Sequence, residues 1–169
     1  MTQATHAYTV IRTSQADGVG HIELYRPERL NALSKEMLLE IGHAMDAFER
    51  DDAVRVIVLS GSGKGFSSGF DLKDQMQRNP KGAQVWKEIL DLDFHTTMRF
   101  WRCGKPTVAA VHGPCVAGAF EMALACDITI AGEQLNLTAI TSPNIASLAN
   151  LSGNNTYGGS ITMTGATAN

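Results

Sequence analysis

Three short apolar runs constrain this chain more than any other feature: Val54 to Leu59 (VRVIVL), Thr107 to Val111 (TVAAV) and Asp127 to Ala131 (DITIA). Each is too short for a stable helix and nearly free of the polar alternation of a half-exposed strand. That pattern predicts strands covered on both faces, as in a parallel sheet. The stretches between them have helical periodicity. Ser34 caps a helix whose first turn carries Glu36, and Met37, Leu38, Ile41, Met45 and Phe48 form its apolar face as far as about Arg50. Trp86, Leu90, Phe94, Met98 and Trp101 predict a second amphipathic helix with a core stripe, stopped by Gly104-Lys105-Pro106. Val116 to Cys126 predicts a third, rich in small residues. Upstream, Tyr8 to Thr13 and His21 to Tyr25 read as a hairpin about Asp17-Gly18, and Arg26-Pro27 breaks the pattern. Strands joined by helices of this length need right-handed crossovers. The fold class is α/β with a largely parallel sheet.

Composition narrows the class of function. The 169 residues are 44% hydrophobic, enough for a sizeable core, and the net charge of −3 argues against a nucleic-acid partner or an anionic membrane surface. No apolar run approaches a membrane span, and the polar start MTQATHAYT does not resemble a signal peptide. Cys103, Cys115 and Cys126 form no CxxC pair and have no neighbouring histidine, so they read as buried reduced thiols rather than metal ligands. A cytoplasmic location is the expectation. Charge is also unevenly placed: every Asp, Glu, Lys and Arg lies between Arg12 and Glu133. Residues 134–169 carry none, and more than half of them are Ser, Thr, Asn or Gly. A globular surface needs charge throughout, so the chain divides into a core over 1–133 and an uncharged tail over 134–169, disordered or loosely β.

Ligands of α/β sheets bind beyond the carboxyl ends of the strands. Two glycine-bearing segments fall there, Gly65 to Leu72 (GFSSGFDL) and His112 to Glu121 (HGPCVAGAFE). Glycine admits tight turns and lets a ligand approach main-chain N–H groups. Two such groups on separate segments can bind a carbonyl oxygen that becomes an oxyanion. Glu121, one helical turn after Gly118, can stand beside it. The competing reading is two ordinary βα turns with Glu121 solvated. His112 reads as a turn residue, and His6, His21, His43 and His95 have no partners at ligand spacing. Ser67 and Ser68 lack the GxSxG context of a nucleophile, and Lys64 lacks the spacing of a phosphate loop.

The segments RPERLNAL (Arg26–Leu33), GKGFSSGFDLK (Gly63–Lys73) and KPTVAAVHGPCVAGAFEMALACDITIAGE (Lys105–Glu133) resemble the crotonase, or enoyl-CoA hydratase/isomerase, superfamily. The resemblance covers about residues 8–133. It implies a crotonase-like fold of repeated ββα units, a trimer or dimer of trimers, an acyl-CoA thioester substrate, and no metal or redox cofactor, coenzyme A entering as part of the substrate. By position it implies an oxyanion hole from the N–H groups of Phe70 and Gly118, with Glu121 as the catalytic carboxylate. It also lines the CoA and thioester with Ser68, Phe70, Asp71, Leu72, Lys73 and Gly118. Ala117 and Ala119 stand where the family has glycines, and Phe70 is bulkier than the usual residue there.

The motif resemblance ends near Glu133. Ser142-Pro143-Asn144-Ile145 is only vaguely similar to the family's proline-glutamate step, with Asn144 where a second glutamate would fall. LSGNNTYGGSITMTG resembles, by composition, a repeat of secreted β-solenoids. Leu135/Leu137 and Ile161/Met163 alternate at strand period, and a loose hairpin about Gly158-Gly159 is the one ordered form anticipated. Two functions follow from these residues: hydration or double-bond isomerisation of an enoyl-CoA, or a truncated, non-catalytic fragment serving as a scaffold or interaction module.

Overall fold

A computed structural model describes residues 7–132 together with two short strands, Leu135–Thr138 and Ile161–Thr164. β1 (Ile11–Ala16) and β2 (Val19–Leu24) form the hairpin, with Ala16 opposite Val19. Asp17 (φ 53°) and Gly18 (φ 86°) supply the two left-handed residues of a tight two-residue turn. The first strand starts and ends three residues later than the sequence suggests, because the turn sets the register. After a 3-10 turn over Pro27–Arg29 comes α1 (Lys35–Arg50), capped by Ser34, whose hydroxyl accepts from the Met37 N–H at 3.3 Å. β3 (Val56–Gly61), α2 (Leu72–Arg78), α3 (Ala83–Trp101), β4 (Thr107–Val111), α4 (Gly118–Ala125) and β5 (Ile128–Ala131) follow. The five strands lie in sequence order, antiparallel only between β1 and β2. This is the α/β, largely parallel sheet anticipated.

The core lies between the sheet and its helices. Met37, Leu38, Ile41, Met45 and Phe48 of α1 are all buried, as their spacing predicts, against Ile22, Leu24, Ile57 and Leu59 of the sheet. Lys105 ties the end of α1 to β4, donating to the Phe48 and Asp51 carbonyls at 2.6 Å each, a favourable place for a cation at a helix C-terminus.

Two expectations are corrected. Trp86, Leu90, Phe94 and Trp101 are not a core stripe: all four are exposed, and α3 instead buries Ile89, Asp93, Thr96, Thr97 and Phe100. Long-range contacts set this rotation. Arg99 pairs with Asp46 at 2.5 Å and Glu49 at 2.7 Å on α1, and Phe100 enters the core. β5 is likewise not buried on both faces, for Ile128 and Ile130 are exposed. It is the outermost strand of its sheet, packed beneath α4. β6 (Leu135–Thr138) and β7 (Ile161–Thr164) are strands, as the alternation of Leu135/Leu137 and Ile161/Met163 suggests, but they pair with each other in parallel as a separate two-stranded sheet rather than as arms of a hairpin. Asn144, the turn at Gly158-Gly159 and the order of the rest of the tail lie outside the described residues.

All three cysteines are free, with Cys126 buried and Cys103 and Cys115 half-buried. Burial pushes the thiols of Cys115 and Cys126 up to about 12, so both remain protonated, unreactive thiols near neutral pH. Among the described residues no helix is long and apolar enough to cross a membrane, and no cluster of His, Cys, Asp and Glu has metal-site geometry.

Candidate active site

Both glycine-bearing segments leave the carboxyl ends of their strands and then run side by side. Phe66 N–H donates to the His112 carbonyl at 2.8 Å and Ser67 N–H to that of Pro114 at 3.0 Å, while Val116 N–H returns a bond to Ser67 O at 3.2 Å. Ser67 and Cys115 form an isolated parallel bridge. A second bridge joins Phe70 to Leu33, through Leu33 N–H to Gly69 O at 2.9 Å and Asp71 N–H to Leu33 O at 3.0 Å. The peptide groups on either side of Phe70 are therefore spent on Leu33. The N–H of Phe70, opposite in direction to the Gly69 carbonyl across one trans peptide, points away from Leu33 and has no acceptor among the described residues.

Gly118 opens α4, where the first N–H groups of any helix lack intrahelical partners. Ala119 and Glu121 donate to the Val116 and Ala117 carbonyls at 3.1 and 3.0 Å, but the Gly118 N–H is unbonded among the described residues. The two free donors sit on touching stretches of chain. Gly69 has φ +86°, and a Cβ there would come within 2.8 Å of Val116 O and 3.5 Å of Gly118 N. A Cβ at Gly118 would lie 2.3 Å from the Phe70 ring. Glycine is needed at both positions, at 69 for backbone conformation and contact, at 118 to admit the ring. Ala117, between the segments, takes φ 49° and ψ −128°, a conformation that L side chains rarely adopt.

Glu121 lies in the first turn of α4, exposed, and makes no side-chain hydrogen bond or ion pair among the described residues. Phe120 and Leu124 beside it are exposed too. Asp71 is buried and structural: Oδ1 accepts from Asp74 N–H at 3.0 Å to cap α2, and Oδ2 accepts from Arg26 at 3.0 Å. Burial works to raise its pKa, but the Asp74 N–H, the Arg26 guanidinium and the charge of Arg29 outweigh this and hold it below the ordinary carboxylate value. Leu72 and Lys73, the first residues of α2, are exposed, and Lys73 has no ion pair among the described residues. Ser68 spends its N–H on Leu30 O at 2.9 Å. His112 donates to or accepts at Nε2 only against a main-chain carbonyl, Gly63 O at 3.0 Å, which makes it the donor there and fits a turn residue.

Sequence reasoning missed Asn31. Fully buried at φ 51°, its amide donates to the carbonyls of Ser62, Gly65 and Phe66 at 2.8, 2.9 and 3.1 Å. Its Oδ1 accepts from Arg26 N–H at 2.9 Å and Ser62 Oγ at 3.2 Å, and its own carbonyl accepts the Ser67 hydroxyl at 2.7 Å. Asn31 thus pins the approach to Phe70. Its signal was an Asn between a 3-10 turn and a helix cap, since Asn tolerates the left-handed conformation.

Comparison with known proteins agrees with this architecture. Residues 14–166 match the family described as Enoyl-CoA hydratase/isomerase, a match that runs past Glu133, where the motif resemblance ends. A 4-chlorobenzoyl coenzyme A dehalogenase of Arthrobacter sp. is 38% identical over 125 residues, 73% of this chain and 45% of the relative. The human mitochondrial Delta(3,5)-Delta(2,4)-dienoyl-CoA isomerase is 37% identical over 132 residues, 73% of this chain and 40% of the relative. The crystal structure of an enoyl-CoA hydratase/isomerase from Xanthobacter autotrophicus Py2 superposes with a TM-score of 0.73 at 56% identity, covering 74% of this chain and 46% of that one. The chain spans about half the length of these relatives. With the sheet order, the paired glycine segments and the family match in agreement, the chain belongs to the enoyl-CoA hydratase/isomerase family.

Proposed function

We propose that this chain binds the thioester carbonyl of an acyl-CoA between the N–H groups of Phe70 and Gly118 and stabilises the enolate formed from it. The reaction is hydration of an enoyl-CoA or migration of its double bond. The observation that carries this reading is the pair of N–H groups, without acceptors among the described residues, on touching segments, one of them at a helix N-terminus. Such preorganised donors are worth several kcal/mol where negative charge develops on oxygen, and the helix dipole adds to them. Glu121 is the carboxylate of the site. In hydration it takes a proton from the water that attacks C3 while the electrons of the double bond move onto the thioester oxygen, and the enolate then re-forms the carbonyl as C2 takes that proton from the Glu121 carboxyl. Coenzyme A is part of the substrate and lies along Leu72 and Ser68, whose carbonyl accepts no hydrogen bond among the described residues. Lys73, at the start of α2 and without an ion pair among the described residues, meets its phosphates, and Asp71 holds that helix in place. The relatives support this substrate class, being a dehalogenase and an isomerase of coenzyme A thioesters by name.

Loss of absorbance of a conjugated short 2-enoyl-CoA tests the reading. Gly118→Ala and Gly118→Pro both push a Cβ against the Phe70 ring, but only proline deletes the N–H, and proline is tolerated at the first position of a helix. Gly118→Pro is expected to lose on the order of 10²–10³-fold in rate beyond Gly118→Ala. Equal rates for the two variants would refute the oxyanion hole. A second reading, a binding or scaffold module without turnover, is favoured by the apolar side chains around Glu121 that stand exposed. Thioester binding with no turnover in the unsubstituted chain would decide for it.

A further inference from the structure

Gly118 is buried, while Ala117 before it and Phe120 after it are exposed. The side chain that lies on it is Phe70. From the place a Cβ would take on Gly118, the three nearest atoms all belong to the Phe70 ring: Cε2, Cζ and Cδ2, at 2.3, 2.5 and 2.7 Å. One C–C bond farther back, the Gly118 Cα is within about 3.8 Å of the ring edge, a direct contact. The thioester reading uses the N–H of Phe70 and gives its ring no task.

The ring spans the two donors. It hangs from the Cα beside the Phe70 N–H, and its far edge rests on the residue that carries the Gly118 N–H. In a helix the Cα–Cβ bond tilts toward the N-terminus, the end at which the first N–H groups stand free. Atoms at the Cβ place of Gly118 therefore flank its donor. The ring is also held where it is. Leu33 N–H donates to Gly69 O at 2.9 Å and Asp71 N–H donates to Leu33 O at 3.0 Å, which pins the backbone on both sides of Phe70. Gly69 runs so close to the next segment that a Cβ there would be 2.8 Å from Val116 O and 3.1 Å from the Ala117 Cβ. The Phe70 side chain, half-buried, packs against the core.

We propose that the Phe70 ring is the specificity-determining wall of the acyl site, admitting acyl groups unsubstituted at C2 and rejecting those with a methyl branch there. The inference rests on the thioester reading above. In that reading coenzyme A runs along α2 and C3 faces Glu121 on α4, so the acyl chain leaves the carbonyl on the α4 side. An oxygen held by both donors is about 3 Å from each nitrogen, and C2 is two bonds beyond that oxygen. The ring edge that rests on Gly118 then bounds the space at C2. An unbranched C2 fits beside this edge, whereas a methyl on it meets ring carbons that a pinned backbone and a packed core keep from moving aside. Selection is by shape alone, and no bond forms or breaks in it.

The test measures dissociation constants by calorimetry on the full 169-residue chain. The ligands are butanoyl-CoA and 2-methylbutanoyl-CoA, which differ by one methyl at C2 and cannot be hydrated, with coenzyme A itself as reference. The unsubstituted chain is expected to favour butanoyl-CoA by on the order of 10–100-fold, the scale of one misplaced methyl group. Phe70→Leu keeps the side chain as far as Cδ and lacks the Cε and Cζ atoms that reach Gly118. It is expected to narrow the preference by on the order of tenfold, and Phe70→Ala by at least as much. Equal affinity of the unsubstituted chain for the two acyl ligands overturns the proposal. So does the same preference in the unsubstituted chain and Phe70→Leu, including the case where both affinities fall together, which would mark a purely structural ring. Either result, with butanoyl-CoA bound more tightly than coenzyme A, refutes the role of the ring alone. Butanoyl-CoA bound no more tightly than coenzyme A refutes the thioester reading, and this inference with it.

Discussion

Ala117 holds φ 49° and ψ −128° immediately before Gly118, and a residue with a Cβ is strained there by on the order of 1–3 kcal/mol. The strain is borne because Val116 is bonded to Ser67 and Ala119 to Val116, which fixes the chain on both sides. Ala117→Gly is therefore expected to raise stability by about 1 kcal/mol or more in denaturant unfolding. Part of that gain is offset by the greater freedom glycine has in the unfolded chain. A stability below that of the parent would show that the Ala117 conformation carries no strain. At this scale the sequence was legible where one side chain serves its own neighbours, as Ser34 does in capping α1. It was not legible at Asn31, whose partners Ser62, Gly65 and Phe66 lie more than thirty residues along the chain. Phe70 and Gly118 were placed by motif resemblance, whereas their unbonded donors and mutual contact are visible only in three dimensions.

At the scale of elements, α1 and β4 could be read directly because each has one clear apolar pattern. α3 has two apolar stripes, the aromatic one and the Ile89–Phe100 one. The choice between them falls to Arg99, whose partners Asp46 and Glu49 are on another helix. α2 gives no periodic signal because none of its residues is buried. It depends on its cap, which makes it sensitive to acid. Asp71 has a folded pKa below its ordinary value of 3.8, so it binds its proton less readily when folded. Its contribution to stability is present above the unfolded pKa and is lost as pH falls through the folded one. Asp71→Asn is expected to be less stable than the parent at neutral pH, with the difference shrinking below about pH 4. A constant difference from pH 7 to pH 2 in thermal unfolding would contradict this.

For the whole molecule, the described surface holds Trp86, Phe94 and Trp101 on α3, Phe120 on α4, and Ile128 and Ile130 on β5, all exposed. Apolar surface of this kind on a soluble domain favours association. The 169-residue chain is expected to self-associate at micromolar concentration in sedimentation velocity, and the double variant Trp86→Ser with Phe94→Ser to do so less. A concentration-independent monomer would refute this. The pairing of Ser67 with Cys115 has a further consequence, for the order of events in folding. The donors at Phe70 and Gly118 come from stretches almost fifty residues apart, and the chain between them contains the whole of α2, α3 and β4. Closing a loop of that length is entropically slow to be rewarded. Helix content can thus return early in refolding, while the capacity to grip a carbonyl waits until the β3-to-β4 crossover has docked. Recovery of ligand binding then becomes a clock for the arrival of the middle of the chain.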